Sequence, residues 1–301
     1  MIRLGYSPCP NDTFIFYALA HQKIDTRGLS FQITVGEVET LNRLALRREA
    51  EVVKVSCHAY SLLRDDYAFL KSGGALGRGC GPLLVARSPL SPAELKGGRI
   101  GIPGRLTTAF LLLRLFLSPA GADRRREEMP YTFVEMPFHR IMGEVRDGKL
   151  DAGLIIHESR FTYPSYGLVQ TVDLGAWWEQ ETGLPLPLGG IVAKKSLGAS
   201  GIRTVEDLLR DSVVYAGAHE EEALRYVRRH AQELSEEVVR RHIALYVNEY
   251  TLDSGDEGRA ALEELMKRVE TVSRTPAPHI LPASAIPFRN EEEAATWKAH
   301  Q

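Results

Sequence analysis

The sequence alternates short apolar segments with segments of helical periodicity, and the alternation occurs in two separate series. Strands and helices of the first series are predicted in turn at 2–6, 13–20, 29–35, 38–47 and 52–56. Those of the second series are predicted at 99–102, 107–117, 131–136, 139–146 and 151–156. A strand–helix–strand rhythm predicts parallel sheets covered by helices. Two series therefore predict an α/β protein with two lobes.

The lobe boundaries are predicted from changes in composition. A segment rich in Ser, Pro and Gly at 88–98 precedes a new strand and is taken as the first crossing between lobes. Further strands at 168–172 and 190–193 precede long amphipathic helices, which return the chain to the first lobe. The predicted units are lobe one (1–95 and 196–272), lobe two (96–195) and a proline-containing C-terminal tail (273–301) with a short helix at 291–298.

Charge and cysteine content exclude several classes of protein. The 37 basic residues nearly balance the 39 acidic ones, and no basic stripe with interleaved aromatic residues is present, so no nucleic-acid partner is expected. Three cysteines without a CxxC spacing indicate a reducing compartment. The apolar run 109–117 is interrupted by Arg114 and is shorter than a membrane helix. With no export signal in the first residues, we expect a cytoplasmic protein without membrane insertion.

The loop after the first strand is a candidate ligand loop. It carries Ser7, Asn11 and Asp12, at the carboxyl end of a strand and the start of a helix, where open α/β sheets bind ligands. These three residues are candidate pocket walls. The residues alone support a second interpretation equally well, in which Asn11 or Asp12 only caps the helix and Cys9 is a small buried filler.

Two further strand ends carry candidate binding residues. Lys54, Val55 and Ser56 end the third strand, where Ser56 either binds a carboxylate or caps the next helix, and Lys54 either faces the ligand or pairs with an acid. On spacing alone His58 is a surface residue. Thr107 and Thr108 follow a Pro/Gly turn at a helix start, which favours an anion site, although Thr107 could be a plain N-cap.

His157 is the candidate catalytic base. It directly follows the apolar strand at 151–156, at the edge where a cleft between two lobes would open, although a single histidine is more often structural than catalytic. Glu158 or Ser159 could orient its ring, and Trp177 and Trp178 could contact an aromatic ligand or simply fill the core. No HExxH, GxSxG, GxxxxGK[ST] or strand-following GxGxxG motif is present, and no metal is expected.

Several segments, taken together and in order, resemble the 1,4-dihydroxy-6-naphthoate synthases of the futalosine route to menaquinone. They span roughly residues 1 to 260 and read SPCPNDTFIFYAL, ETLNR, SGGALGRG, PGRLTTA, GLIIHESRFTYP, YGLVQTVDLGAWWE and TGLPLPLGG. The resemblance implies a type II periplasmic-binding-protein-like α/β fold, with two lobes and a ligand cleft between them. It also implies that His157 is the proton acceptor, with substrate contacts at Lys54, Val55, Ser56, Thr107 and Thr108. Cys57 and His58 depart from the expected pattern.

The resemblance implies a carbon–carbon lyase that converts cyclic dehypoxanthine futalosine, a small aromatic carboxylate, to 1,4-dihydroxy-6-naphthoate and dihydroxyacetone. No cofactor is implied. The alternatives are a chorismate dehydratase of the same pathway and a non-catalytic solute-binding protein, which would require export to meet its transporter. The sequence leaves the oligomeric state open, with a homodimer as one option.

Overall fold

The computed structural model describes residues 1–91, 93–118, 130–231, 235–273 and 278–285. The strands of this part of the chain are β1 Ile2–Tyr6, β2 Phe31–Val35, β3 Val52–Ser56, β4 Tyr67–Phe69, β5 Ala75–Gly77, β6 Leu83–Ala86, β7 Arg99–Ile102, β8 Thr132–Glu135, β9 Ala152–Ile155, β10 Val169–Asp173, β11 Leu186–Lys194 and β12 Ile280–Pro282. Its α-helices are α1 Pro10–Ala20, α2 Val38–Leu46, α3 Cys57–Tyr60, α4 Thr108–Leu117, α5 Phe138–Arg146, α6 Ser159–Thr162, α7 Leu174–Thr182, α8 Gly198–Ala218, α9 Glu220–His230, α10 Glu236–Tyr246, α11 Glu249–Leu252 and α12 Gly255–Ser273.

The first sheet has the strand order β2-β1-β3-β11-β4, and β5 also pairs with β11. β1 is parallel to both β2 and β3, whereas β11 runs antiparallel to β3, β4 and β5. All five residues of β3 are buried, as expected for a central strand that is covered on both faces. We call this sheet, with the helices packed on it, the first lobe.

The second sheet has the order β10-β6-β9-β7-β8-β12. Its centre is parallel, because β7 pairs in that sense with both β8 and β9. α5 covers one face through an apolar stripe that includes Ile141 and Val145. Gly153 of β9 permits this close packing, since a Cβ atom at that position would lie 2.4 Å from Ile141. We call this sheet and its helices the second lobe.

The chain changes sheet at different points from those predicted. β6 pairs with β9 and β10, so the chain has already left the first sheet before residue 83. β11 is hydrogen-bonded to β3, so the return precedes residue 186. The predicted boundaries at 95/96 and 195/196 follow changes in composition, whereas the sheet to which a strand belongs is fixed by long-range backbone hydrogen bonds that composition does not report.

The C-terminal helices are divided between the two lobes. α8, α9 and α10 pack on α1, as expected for a return to the first lobe, but α12 packs against α3, α4 and β11. Leu265 and Met266 of α12 share a core cluster with Phe110 of the second lobe. β12, in the predicted tail, adds to the edge of the second sheet beside β8. The helix predicted at 291–298 lies outside the described residues.

Candidate active site

One cavity between the lobes is lined by the predicted base, all the predicted substrate-binding residues and all the predicted pocket-wall residues. Its volume in this conformation is about 80 Å³, which is smaller than the roughly 300–1,000 Å³ of typical small-molecule sites. Its nominated residues are Ser7, Asn11, Asp12, Lys54, Val55, Ser56, Thr107, Thr108 and His157. They follow or end the strands β1, β3, β7 and β9, whose carboxyl ends therefore meet at the cleft, as open α/β sheets require for ligand binding.

A buried ion pair forms the first-lobe wall of the cavity. Nζ of Lys54 donates to Oδ1 of Asp12 at 2.8 Å. The same carboxylate accepts hydrogen bonds from Oγ of Ser7 at 2.7 Å and from Nδ2 of Asn11 at 2.8 Å. Neither Asn11 nor Asp12 caps α1, which begins at Pro10 with Cys9 in the N-cap position, because proline suits the first helical position. The capping interpretation was wrong.

Ser56 is held by the neighbouring helix α2. Its backbone N–H donates to Oδ1 of Asn42 at 2.9 Å, and its Oγ accepts from Nδ2 of Asn42 at 3.2 Å. Ser56 occupies the N-cap position of α3, but its side chain makes no capping hydrogen bond. The hydroxyl proton of Ser56 can therefore be directed toward a bound molecule.

The two threonine hydroxyls at the start of α4 already donate to protein carbonyl groups. Oγ1 of Thr107 donates to the carbonyl of Gly104 at 2.8 Å and accepts from the Phe110 N–H at 3.2 Å, so Thr107 is the N-cap. Oγ1 of Thr108 donates to the carbonyl of Leu188 at 2.6 Å. What the start of α4 can offer to an anion is therefore mainly backbone N–H groups and the positive end of the helix dipole.

His157 lies just beyond β9 in a left-handed backbone conformation, with φ = 57°. Such a φ is uncommon outside glycine and is found more often at functional sites. The ring packs edge-on against Phe138 at a centroid distance of 5.0 Å. Desolvation lowers the pKa of His157 to about 4, so the imidazole is neutral at pH 7. Within the described part of the chain, Nε2 of His157 has no hydrogen-bond partner.

The two tryptophans whose roles the sequence left open lie outside the cavity lining, as does Arg105. Trp178 is fully buried and donates from Nε1 to the Pro185 carbonyl, and Trp177 packs edge-on against Phe116. Both tryptophans fill the core. Arg105 pairs with Glu135 at 2.8 Å.

His58 packs against the start of α4 and is not a surface residue. Its backbone N–H donates to Oγ1 of Thr108 at 3.2 Å, and its ring Nδ1 lies 3.3 Å from the carbonyl oxygen of Thr107. Desolvation lowers the pKa of His58 to about 4. The prediction of a surface position from helical spacing was wrong because α3 is only one turn long and lies against the second lobe.

Sequence reasoning missed two polar residues of the cavity, His242 and Tyr246. Both are on α10 at an i, i+4 spacing, which places them on one face of that helix. His242 is 0% exposed. The i, i+4 spacing of the two residues was the only local sign that they share a face of the helix. No sequence motif indicates that α10 packs beside the end of β9, which lies more than 80 residues earlier in the chain.

The lobes are in contact across the cleft. The Leu106 N–H donates to Oε2 of Glu39 at 3.1 Å, and Arg43 pairs with Glu135 at 2.6 Å. Gly104 is required at this contact, because it has φ = 156° and its added Cβ would lie 2.5 Å from Oε2 of Glu39. The two lobes are therefore held together at this edge of the cleft by a hydrogen bond and an ion pair.

The described residues contain no cluster of three or more His, Cys, Asp or Glu side chains suited to a metal ion. All three cysteines are buried and free, and burial raises the pKa of the Cys9 thiol well above its usual value. Cys9 is therefore not a thiolate nucleophile at neutral pH. In the part of the chain that the structure covers, no helix combines the length and the apolar character needed to cross a bilayer.

Comparison with known proteins identifies the family. A family model described as "Menaquinone biosynthesis" matches residues 2–271. The chain belongs to this menaquinone biosynthesis family. A member from Thermus thermophilus, named 1,4-dihydroxy-6-naphthoate synthase, is 52% identical over 269 residues, which are 89% of this chain and 94% of that protein. One of the same name from Streptomyces coelicolor is 44% identical over 279 residues, 92% and 95% of the two chains.

The fold of this family member is also found in solved structures. A Candida albicans protein, described as having the generic periplasmic binding protein structural fold, superposes with a TM-score of 0.66 at 13% identity, covering 90% of each chain. This confirms the predicted type II periplasmic-binding-protein-like class at the level of fold. The relatives' names favour neither the chorismate dehydratase nor the non-catalytic solute-binding protein.

Proposed function

We propose that this menaquinone-biosynthesis family member converts cyclic dehypoxanthine futalosine to 1,4-dihydroxy-6-naphthoate and dihydroxyacetone, with His157 as the base. One observation carries the proposal. A neutral imidazole, with a ring nitrogen that lacks a hydrogen-bond partner among the described residues, lines the interlobe cavity at which the four strand ends meet. The names of two relatives at 52% and 44% identity support the same reaction.

The reaction begins with proton removal by His157. Nε2 takes a hydroxyl proton from the sugar-derived part of the substrate, and the oxygen becomes a carbonyl as the adjacent carbon–carbon bond breaks in retro-aldol fashion. The electron pair of that bond leaves with the three-carbon fragment as an enediolate. Protonation of one carbon of this fragment gives dihydroxyacetone, and the remaining bicyclic dione aromatises. The steps are redox-neutral and use side chains of the chain itself as acid and base.

Binding is assigned to the two walls of the cavity. The backbone N–H groups at the start of α4, around Thr107 and Thr108, are proposed to bind the substrate carboxylate, because the helix dipole favours an anion there. Ser56 and the Lys54–Val55 segment would hold the opposite end. Apolar lining residues, including Val38, Ile156 and Leu188, suit a flat aromatic ring.

Closure of the lobes contributes to catalysis by excluding water and positioning the reacting groups. Contacts such as Leu106 to Glu39 hold the lobes together, and closure around bound substrate would exclude water from the enediolate and keep the reacting groups in place. We place the reaction in the cytoplasm, which the three free cysteines support. Formation of a homodimer stays a prediction, to be measured by light scattering of the purified protein.

The deciding experiment is a turnover assay with two substrates. Purified protein is mixed with cyclic dehypoxanthine futalosine, and the naphthoate and dihydroxyacetone are quantified separately. Equal amounts of both products, and no turnover of chorismate, are expected. The His157→Asn variant is the internal control, because asparagine tolerates the left-handed backbone at this position. Wild-type protein that forms neither product, or a variant of undiminished rate, would overturn the proposal.

A further inference from the structure

His242 shares the cavity with His157 and has no role in the steps described so far. It is on α10, is fully buried and contributes to the cavity lining. The two imidazole rings have a centroid distance of 6.2 Å, and the Tyr246 ring lies 4.6 Å from that of His242. Two imidazoles therefore border one cavity.

One nitrogen of His242 is fixed by a hydrogen-bond chain that also sets its tautomer. Nδ2 of Asn11 donates to the Asp12 carboxylate, so Oδ1 of Asn11 faces the imidazole. Nε2 of His242 lies 2.9 Å from that oxygen and must carry the hydrogen. Because Lys54 and Ser7 also donate to Asp12, protein hydrogen bonds fix the position of each of these side chains.

The other nitrogen, Nδ1, is an unused acceptor. Desolvation lowers the pKa of His242 well below its usual value, so the ring is neutral and Nδ1 carries a lone pair. In the described residues Nδ1 has no hydrogen-bond partner, and the nearest carboxylate oxygen, Oε2 of Glu158, is 4.0 Å away. That distance is too long for a hydrogen bond.

An unsatisfied buried acceptor destabilises the folded state, and such groups are rare in native proteins. A stable core would bond Nδ1 or replace the ring with an apolar side chain. His157 presents the same feature at Nε2. Two unsatisfied imidazole nitrogens in one cavity indicate that both are reserved for contacts with a bound molecule.

We propose that His242 is a second catalytic residue, whose Nδ1 moves the protons of the aromatisation step. This inference rests on the proposed function. After cleavage, a ring carbon of the bicyclic dione loses its proton to Nδ1, and the C–H electron pair forms a ring double bond. The carbonyl electrons move to oxygen, which takes the proton back from the imidazolium. A second such transfer completes the dihydroxy ring, and His242 returns to its neutral form.

The test uses His242→Gln in single-turnover experiments that measure dihydroxyacetone and naphthoate separately. The glutamine amide nitrogen can keep the hydrogen bond to Asn11, while the acceptor at Nδ1 is lost. Dihydroxyacetone should form at close to the wild-type rate, whereas naphthoate should be delayed about 100-fold, the usual scale for loss of a general base. The dione should accumulate in between.

Two further variants keep the test decisive. His242→Asn, which removes the titratable ring but keeps a polar atom near Nδ1, should show the same delay if His242→Gln does not fold. Ser212→Ala removes a buried hydrogen bond to the Ile15 carbonyl, between two residues that are not part of the cavity lining, and should leave both product rates unchanged.

Naphthoate release at the wild-type rate in folded His242→Gln, or an equal slowing of both products, would overturn the assignment of His242. Wild-type protein that releases neither product would instead overturn the proposed function itself. The two failures are therefore distinguishable in the same experiment.

Discussion

Nζ of Lys54 donates to Oδ1 of Asp12 at 2.8 Å, and the two side chains are only 7% and 2% exposed. Moving two such charges out of water costs several kcal/mol per ion, which only good geometry and further hydrogen bonds offset. Ser7 and Asn11 supply those bonds on the carboxylate side. Lys54 consequently adds little net positive charge to the cavity, and the pair acts chiefly as an ordered wall.

The first prediction concerns this ion pair. Lys54→Met should lower the free energy of unfolding by about 3–5 kcal/mol, because it leaves a buried carboxylate without its counter-charge. The double variant Lys54→Met/Asp12→Asn should recover most of that loss. Urea unfolding of the two variants and the wild type measures the difference, and equal stability of the single and double variants would contradict it.

The second prediction concerns His157. His157→Asn should lower kcat about 100- to 10,000-fold with KM changed only a few-fold, because a base is removed and the binding walls remain. His157→Ala should lose the same activity and be less stable than His157→Asn, since alanine tolerates φ = 57° less well than asparagine. Steady-state kinetics and thermal unfolding measure the two effects independently. Equal kcat in wild type and His157→Asn would refute the assignment.

The third prediction is a loss of stability in acid. The folded-state pKa values of His58 and His157 are both lowered from 6.5 to about 4 by desolvation. Between these values the unfolded chain binds protons that the folded chain does not, so stability is complete above pH 6.5 and falls as the pH approaches 4. The loss should be on the order of 3 kcal/mol per imidazole at pH 4.

The measurement is the free energy of unfolding as a function of pH, compared between wild type and His58→Asn. Asparagine keeps a donor for the Thr107 carbonyl but has no proton to bind, so the slope between pH 6.5 and 4 should decrease. An unchanged slope in His58→Asn would show that burial of His58 does not depress its pKa.

The fourth prediction concerns lobe closure. Gly104→Ala should raise KM and lower kcat/KM several-fold, because its Cβ displaces Glu39 and weakens the contact with Leu106. Gly97→Ala is the matched control: Gly97 also has a positive φ, of 78°, but a Cβ there meets nothing within 4 Å. Both variants should be destabilised by backbone strain, and only Gly104→Ala should change the kinetics. Equal kinetic effects would rule out the closure role.

The strand ends of the site were accessible to sequence reasoning because their signals are local. Ser7, Ser56, Thr107 and His157 each end or follow a short apolar strand and precede a helix. Parallel strands bring such positions to one edge, and this rule requires no knowledge of side-chain contacts. The same local periodicity predicted both lobes and most of their helices. It could not predict the sheet membership of β6, because pairing depends on backbone hydrogen bonds across the chain.

The sequence by itself determined the α/β class and the family, since hydrophobic periodicity and a colinear series of motifs are properties of neighbouring residues. Only the tertiary structure decided which side chains contact one another in the site. These contacts include the ion pair of Lys54 with Asp12 and the hydrogen bond from Thr108 to the Leu188 carbonyl. They also include the position of His242, from a helix distant in sequence, in the cavity lining. These contacts join residues 42 to more than 200 positions apart. Their strength depends on desolvation and on interatomic distance, and both arise only when the lobes pack.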